Sequence, residues 1–273
     1  MLLGGTVTGE FHDPTEWEQL LVRSGFKAIT APFTCEDDEE TINRYVEIIR
    51  KHNVKISEIG VWRNTLAGPI DFAVGQLKLA DRLEIGCCVN ISGTKSGLRW
   101  DCADPSNYDE ENYKDIVRSI QNIIDDAAPK RAFYTVEPMP WMIPDGPDVY
   151  LQLIKDVNRK QFAVHMDFVN MIHSPRRFLC ANEFIRECFS KLGPMIKSTH
   201  IKDSRMSLTG YTTHIDECPP GQGELDYPAI LKILDDYLPK DGAILLEHMS
   251  TFEEYDQAFQ FVKRAAQMAG VIL

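Results

Sequence analysis

Basic residues are scarce in this sequence: 29 Lys and Arg stand against 41 Asp and Glu, a formal net charge of −12. That balance argues against duplex nucleic acid as a partner, because its binding rests on neutralising phosphates with Lys and Arg. It argues against an anionic membrane surface for the same reason. No apolar run approaches the roughly 18 residues of a membrane-spanning helix. The opening MLLGGTVTGEFHD has no Lys or Arg ahead of its short apolar stretch, the first being Arg23, so no signal peptide is expected.

Paired cysteines are missing too. Cys35, Cys87, Cys88, Cys102, Cys180, Cys188 and Cys218 are odd in number and show no C-x-x-C spacing. Neither a disulfide framework nor a zinc knuckle is expected, and a reducing cytoplasm is the expected setting. No G-x-G-x-x-G follows the first expected strand, and no G-x-x-x-x-G-K-[ST] occurs, which removes the Rossmann and P-loop readings. No Ser/Gly-rich linker, low-complexity tract or shift in composition divides the chain.

What is present is an ordinary globular composition over 273 residues, 44% hydrophobic and 26% charged. A chain this long can bury about 75% of the surface exposed when unfolded. Short apolar or β-branched runs predict eight buried strands: 4–7, 28–32, 56–62, 87–92, 132–137, 162–167, 196–202 and 243–248. Several are apolar throughout, as in parallel strands covered on both faces. Amphipathic helical patterns lie between them. Pro14 and Glu16 open the first and Gly25 closes it; Cys35 begins the second; Pro69 starts the third. Asp226 is a candidate N-cap, and Ser250-Thr-Phe-Glu253 has capping-box spacing for the last helix. Eight strand-then-helix units in about 270 residues predict an α/β fold, a closed (β/α)8 TIM barrel forming one domain over residues 1–273.

In such a barrel the chemistry sits where the strands end. The fifth strand ends in Glu137, the sixth in Asp167 and the eighth in Glu247; the seventh carries His200 and then Asp203. Buried carboxylates are costly unless paired or metal-bound. Four polar groups on four consecutive strands converge on one mouth. Three carboxylates and one imidazole suit one hard or borderline divalent cation, Mn2+ first, then Co2+ or Mg2+.

The segments Glu137-Pro, His165-x-Asp167, Thr199-His200-Ile-Lys-Asp203, Gly221-Gln-Gly-Glu-Leu-Asp226-Tyr and Leu246-Glu247-His248 carry a family resemblance. Over essentially the whole chain, the sequence resembles the xylose isomerase-like barrel superfamily of sugar phosphate isomerases and epimerases. D-Tagatose 3-epimerase and hydroxypyruvate isomerase belong to it. The resemblance implies a Mn2+-like ion on Glu137, Asp167, His200 and Glu247. It implies that Glu137 and Glu247 also move the proton next to a substrate carbonyl, through an enediolate. The substrate would be a small sugar or sugar derivative, and the family allows a homo-oligomer.

Asn170 stands where the ketose 3-epimerases have a His, Ile143 where they have a second Glu, and Arg205 one position from their Arg. These departures point away from a free ketohexose. Candidate substrate-binding residues are His165, Asn170, Arg205, Trp141, Trp62 and Asp203. Four of them have a plainer alternative: a hydrogen-bonded core position for His165, ordinary ring burial for the two tryptophans, orientation of Lys202 or His200 for Asp203. By strand alternation His248 is expected to point away from Glu247.

A lyase or dehydratase, resembling inosose dehydratases or 3-oxo-glycoside lyases, begins with the same proton abstraction. A repair endonuclease related to endonuclease IV would need more His ligands and less negative charge. A non-catalytic carbohydrate-binding barrel is the remaining reading.

Overall fold

The computed structural model describes residues 1–273. Eight parallel strands close into a barrel: β1 (Leu2–Gly5), β2 (Ala28–Thr30), β3 (Lys55–Gly60), β4 (Cys87–Asn90), β5 (Phe133–Val136), β6 (Phe162–Asp167), β7 (Ile196–Ile201) and, eighth in the ring, β10 (Ala243–Leu246). Around it lie α1 (Pro14–Ser24), α2 (Glu39–Lys51), α3 (Asp71–Leu83), α4 (Glu110–Ala127), α5 (Pro147–Val157), α6 (Pro175–Leu179), α7 (Ala181–Leu192), α8 (Tyr227–Tyr237) and α9 (Phe252–Ala269). All eight expected strands are present in one closed sheet, as the α/β alternation predicts.

Three differences from the sequence expectation have local causes. The sixth unit carries two helices, because Ser174 caps a short α6 and Cys180, at φ −113°, interrupts it before α7. Helix α2 starts at Glu39 rather than Cys35, since the Asp38 carboxylate accepts the Thr41 N–H and sets the cap there. The capping box of α9 is Thr251 with Glu254, one residue beyond the expected pair. Helix α1 follows the sequence signals closely: Asp13 accepts the N–H groups of Thr15 and Glu16, and Gly25 closes it at φ +69°.

An antiparallel hairpin of β8 (Asp203–Met206) and β9 (Ile215–Cys218) leaves the barrel directly after β7. Its short segments mix polar and apolar residues and carry no strong strand pattern, so sequence periodicity misses it.

Trp17 packs edge-on against Tyr45 with ring centroids 5.2 Å apart, locking α1 to α2. Each such buried side chain contributes about 1.5–3 kcal/mol through surface removed from water.

Barrel register decides what meets at the mouth. Asp167 lies opposite His200, Leu245 opposite His200, and Val136 opposite Val164. With side chains alternating along each strand, Glu137, His165, Asp167, Ser198, His200 and Glu247 all turn inward. Pairing stops at Val136, Ile201 and Leu246, so Glu137, Lys202 and Glu247 stand just past the strand ends.

Candidate metal centre

One candidate ligand atom each from Glu137, Asp167, His200 and Glu247 lies within 4.8 Å of the others, and all four residues are buried. His200 Nδ1 is 2.6 Å from Glu247 Oε2 and 3.4 Å from Glu137 Oε1. The structure therefore brings together the four strand-end residues that the sequence singles out.

Beneath them sits Glu58 of β3, fully buried inside the barrel. Its carboxylate takes Thr30 Oγ1 at 3.1 Å, His200 Nε2 at 2.9 Å, His165 Nε2 at 3.1 Å and Ser198 Oγ at 2.5 Å. Burial alone would raise Glu58, but His200 and His165 outweigh it and hold it well below the usual carboxylate range. An ionised Glu58 can only accept, so His200 holds a proton on Nε2, and Nδ1 is the nitrogen left facing the mouth, where a bound cation would take the place of its proton.

Lys202 closes the other side. Its ammonium, buried at the end of β7, lies 2.6 Å from Glu247 Oε1, 2.8 Å from Asp167 Oδ2 and 3.0 Å from Glu217 Oε2. Burial would lower both cations, yet the surrounding carboxylates raise His200 and Lys202 well above their ordinary values. Burial pushes Asp167 well up, with Glu247 and Glu137 adding to the effect against Lys202. Negative charge is in surplus here, and a cation would relieve it.

Two observations fit a divalent metal. His200 Nδ1 and Asp167 Oδ2 are buried and make no well-formed hydrogen bond, although charged atoms stand close to both. The donor set, three carboxylates and an imidazole whose far nitrogen is fixed by Glu58, is that of a hard or borderline cation. The candidate ligands are Glu137, Asp167, His200 and Glu247.

A cavity of about 370 Å³ lies over Glu58, Glu137, His200 and Glu247, walled by Trp62 and Trp100. It adjoins a second of about 490 Å³, walled by Trp141, Asn170 and Glu217, and the two share Asp101, Met139 and His248. Trp62 thus faces the first cavity and Trp141 the second. Asn170 donates its side-chain amide to Glu137 Oε1 at 3.3 Å and its backbone N–H to Asp167 Oδ1 at 2.9 Å.

Three sequence candidates lie elsewhere. His165 is fully buried below His200, their rings edge-on with centroids 4.1 Å apart, and it supports Glu58 rather than facing either cavity. Arg205 is exposed on the β8–β9 hairpin opposite Asp216, because the chain turns away from the barrel after Lys202. Asp203 is buried with its carboxylate turned into a loop, accepting the N–H groups of Ser204, Gly221, Gly223 and Leu225.

His248 departs from expectation in the other direction. The strand ends at Leu246, and His248 adopts a left-handed backbone with φ +58°, so alternation no longer governs its side chain. Its Nδ1 lies 2.8 Å from Glu217 Oε1 and its Nε2 3.6 Å from Glu247 Oε2. Glu58 carries a signal in the sequence, a carboxylate between Ile56 and Ile59 within a strand. Glu217, in the hairpin, carries none.

The family described as xylose isomerase-like TIM barrel matches residues 19–265. No curated protein matches the chain in sequence. Among solved structures, the chain is similar to a D-tagatose 3-epimerase-like protein: 17% identity, 99% of this chain and 98% of that one covered, TM-score 0.71. It is similar to a xylose isomerase-like TIM barrel protein from Mycobacterium smegmatis in complex with magnesium: 14% identity, 94% and 90% covered, TM-score 0.69. It is also similar to a probable 3-DHS dehydratase involved in petrobactin synthesis from Bacillus anthracis: 16% identity, 96% and 97% covered, TM-score 0.70.

Proposed function

The chain belongs to the xylose isomerase-like TIM barrel family, and from that premise we propose that it is a divalent-metal-dependent isomerase or epimerase of a small sugar or sugar derivative. The observation that carries this reading is the convergence of Glu137, Asp167, His200 and Glu247 beside a cavity of about 370 Å³. When bound, the cation, with Mn2+ first and Co2+ or Mg2+ as alternatives, would supply Lewis-acid polarisation of a substrate carbonyl.

The chain's own groups supply the proton chemistry. Glu137 and Glu247 stand on β5 and β10, separated in the ring by β6 and β7, so they flank a bound sugar from two sides. Burial would raise both carboxyls, and His200 acts against it, joined at Glu247 by Lys202; both groups are held below their usual range. Each is therefore a carboxylate able to act as base. One removes the proton from the carbon beside the carbonyl, leaving an enediolate. The other takes a proton from solvent and delivers it to the opposite face of that carbon, or to its neighbour, and the first then releases its proton to solvent. The first outcome epimerises and the second isomerises.

A lyase or dehydratase is the second reading. His248, 3.6 Å from Glu247 and facing both cavities, offers the further proton donor that a β-leaving hydroxyl or alkoxide needs. Seven free thiols support a reducing, cytoplasmic setting.

The test uses protein stripped with EDTA and reloaded with Mn2+, incubated in D2O with ketoses, inososes and 3-oxo-glucosides, and followed by NMR. Deuterium incorporation without loss of water or aglycone is the expected result; such loss selects the lyase reading. Glu137→Gln and Glu247→Gln should each lower turnover about 10²–10⁴-fold. Absence of bound ion, or unchanged turnover in both variants, overturns the proposal.

A further inference from the structure

The reactive cavity does not stand alone. Through Asp101, Met139 and His248 it runs into the second cavity of about 490 Å³, whose wall includes neither Glu137 nor Glu247. Both volumes are within the roughly 300–1,000 Å³ range of small-molecule sites. Each has its own indole wall, Trp62 and Trp100 in the first and Trp141 in the second. A flat aromatic face suits the apolar face of a sugar ring. Trp141 is fixed in place: its indole N–H donates to Asp101 O at 2.8 Å and its carbonyl accepts from Asn107 Nδ2 at 3.0 Å.

One wall residue of the second cavity also has a buried hydroxyl without a partner. Ser204, one of its wall residues, is 1% exposed, and its hydroxyl has no hydrogen-bond partner. An orphaned buried hydroxyl is costly unless something completes it.

Charge narrows what that something is. The first cavity has Glu58, Asp101, Glu137 and Glu247 in its wall and neither Lys nor Arg. In the second, Arg99 is paired with Asp101, and Glu217 is held by His248 and Lys202. Beyond the ion that Glu137, Asp167, His200 and Glu247 would hold, neither wall offers an unpaired cation for a phosphate or carboxylate.

We infer that the substrate is an extended, uncharged carbohydrate of two units, with the carbonyl-bearing unit over Glu137 and Glu247 and a second polyhydroxyl unit against Trp141 and Ser204. This rests on the isomerase or epimerase reading of the same site. It goes beyond that reading by excluding sugar phosphates and by placing specificity in the second cavity.

The test compares deuterium exchange by Mn2+-loaded protein on a ketohexose, its monophosphate, and a disaccharide in which the same ketohexose carries a glucosyl unit. The disaccharide should have kcat/KM at least tenfold above the free ketose, and the phosphate at least tenfold below it. Trp141→Ala, Ser204→Ala and the cavity-filling Thr213→Trp, at an exposed position, should each bring the disaccharide-to-ketose ratio towards one. A ratio of one in the unaltered protein, or preference for the phosphate, overturns the inference while the isomerase reading stands. If none of the three is turned over, binding is read from tryptophan fluorescence. Tenfold tighter binding of the disaccharide, abolished by Thr213→Trp, upholds the subsite without the isomerase; equal or absent binding overturns it.

Discussion

Glu58 Oε1 lies 2.9 Å from His200 Nε2, and this contact decides which imidazole nitrogen is presented at the barrel mouth. Glu58 also gathers His165 and Ser198, so the platform under the mouth is a hydrogen-bonded network around one carboxylate. Glu58→Gln keeps the shape but offers an amide that can donate to His200, allowing the wrong tautomer. Mn2+ affinity should fall about 10–100-fold, as when other metal-site ligands lose their supporting partner. Competition against a chelator measures it, and unchanged affinity would show that His200 is not a ligand.

Lys202 balances Asp167 and Glu247 from behind. Lys202→Met leaves buried carboxylates facing one another and should destabilise the metal-free protein by about 3–5 kcal/mol. Mn2+ supplies replacement positive charge, so the difference from the unaltered protein should narrow in its presence. Urea melts with and without the ion check this. An equal gap in both conditions would detach Lys202 from the metal centre.

Asp203 holds the loop at Gly221–Leu225 through three backbone N–H groups, those of Gly221, Gly223 and Leu225. Asp203→Ala should cost about 1–3 kcal/mol, the penalty for buried donors left unpaired. Gly223→Ala should damage the same loop, because its Cβ would stand 2.2 Å from Asp203 Oδ1. At a temperature where the variants remain folded, KM should change less than Tm. A large KM rise with unchanged Tm would restore Asp203 to substrate binding.

Asp81, at the end of α3, accepts the N–H groups of Lys130, Arg131 and Ala132 and ties down the approach to β5. Slight burial would raise its carboxyl, but the three amides outweigh it and hold it below the usual range. A folded value below the unfolded one gives stability that is present above about pH 4 and lost as pH falls through the folded value. Asp81→Asn should therefore cost about 1 kcal/mol at pH 7, discounted for exposure. The gap should shrink steadily below pH 4. A pH-independent gap would assign the effect to packing.

Much of this molecule follows from local pattern. The eight apolar runs, the Asp13 and Gly25 boundaries of α1, and the polar residues Glu137, Asp167, His200 and Glu247 at strand ends are properties of short stretches, and a parallel barrel follows from their order. Family resemblance adds the expected chemistry to those positions. What local pattern misses is equally particular. Alternation turns His248 away from the mouth, while the ended strand and a φ of +58° bring it back. Asp203 belongs to a loop about 20 residues further on, and Arg205 leaves with a hairpin whose strands carry no periodic signal.

Local pattern is enough for the barrel and for the four side chains that meet at its mouth, because strand period and strand ends are encoded within a few residues. What supports and surrounds them depends on contacts between distant segments. Glu58 and His200 are 142 positions apart, and Lys202 and Glu247 are 45 apart. Such pairs exist only once the sheet closes and its register fixes which inward residues share a layer.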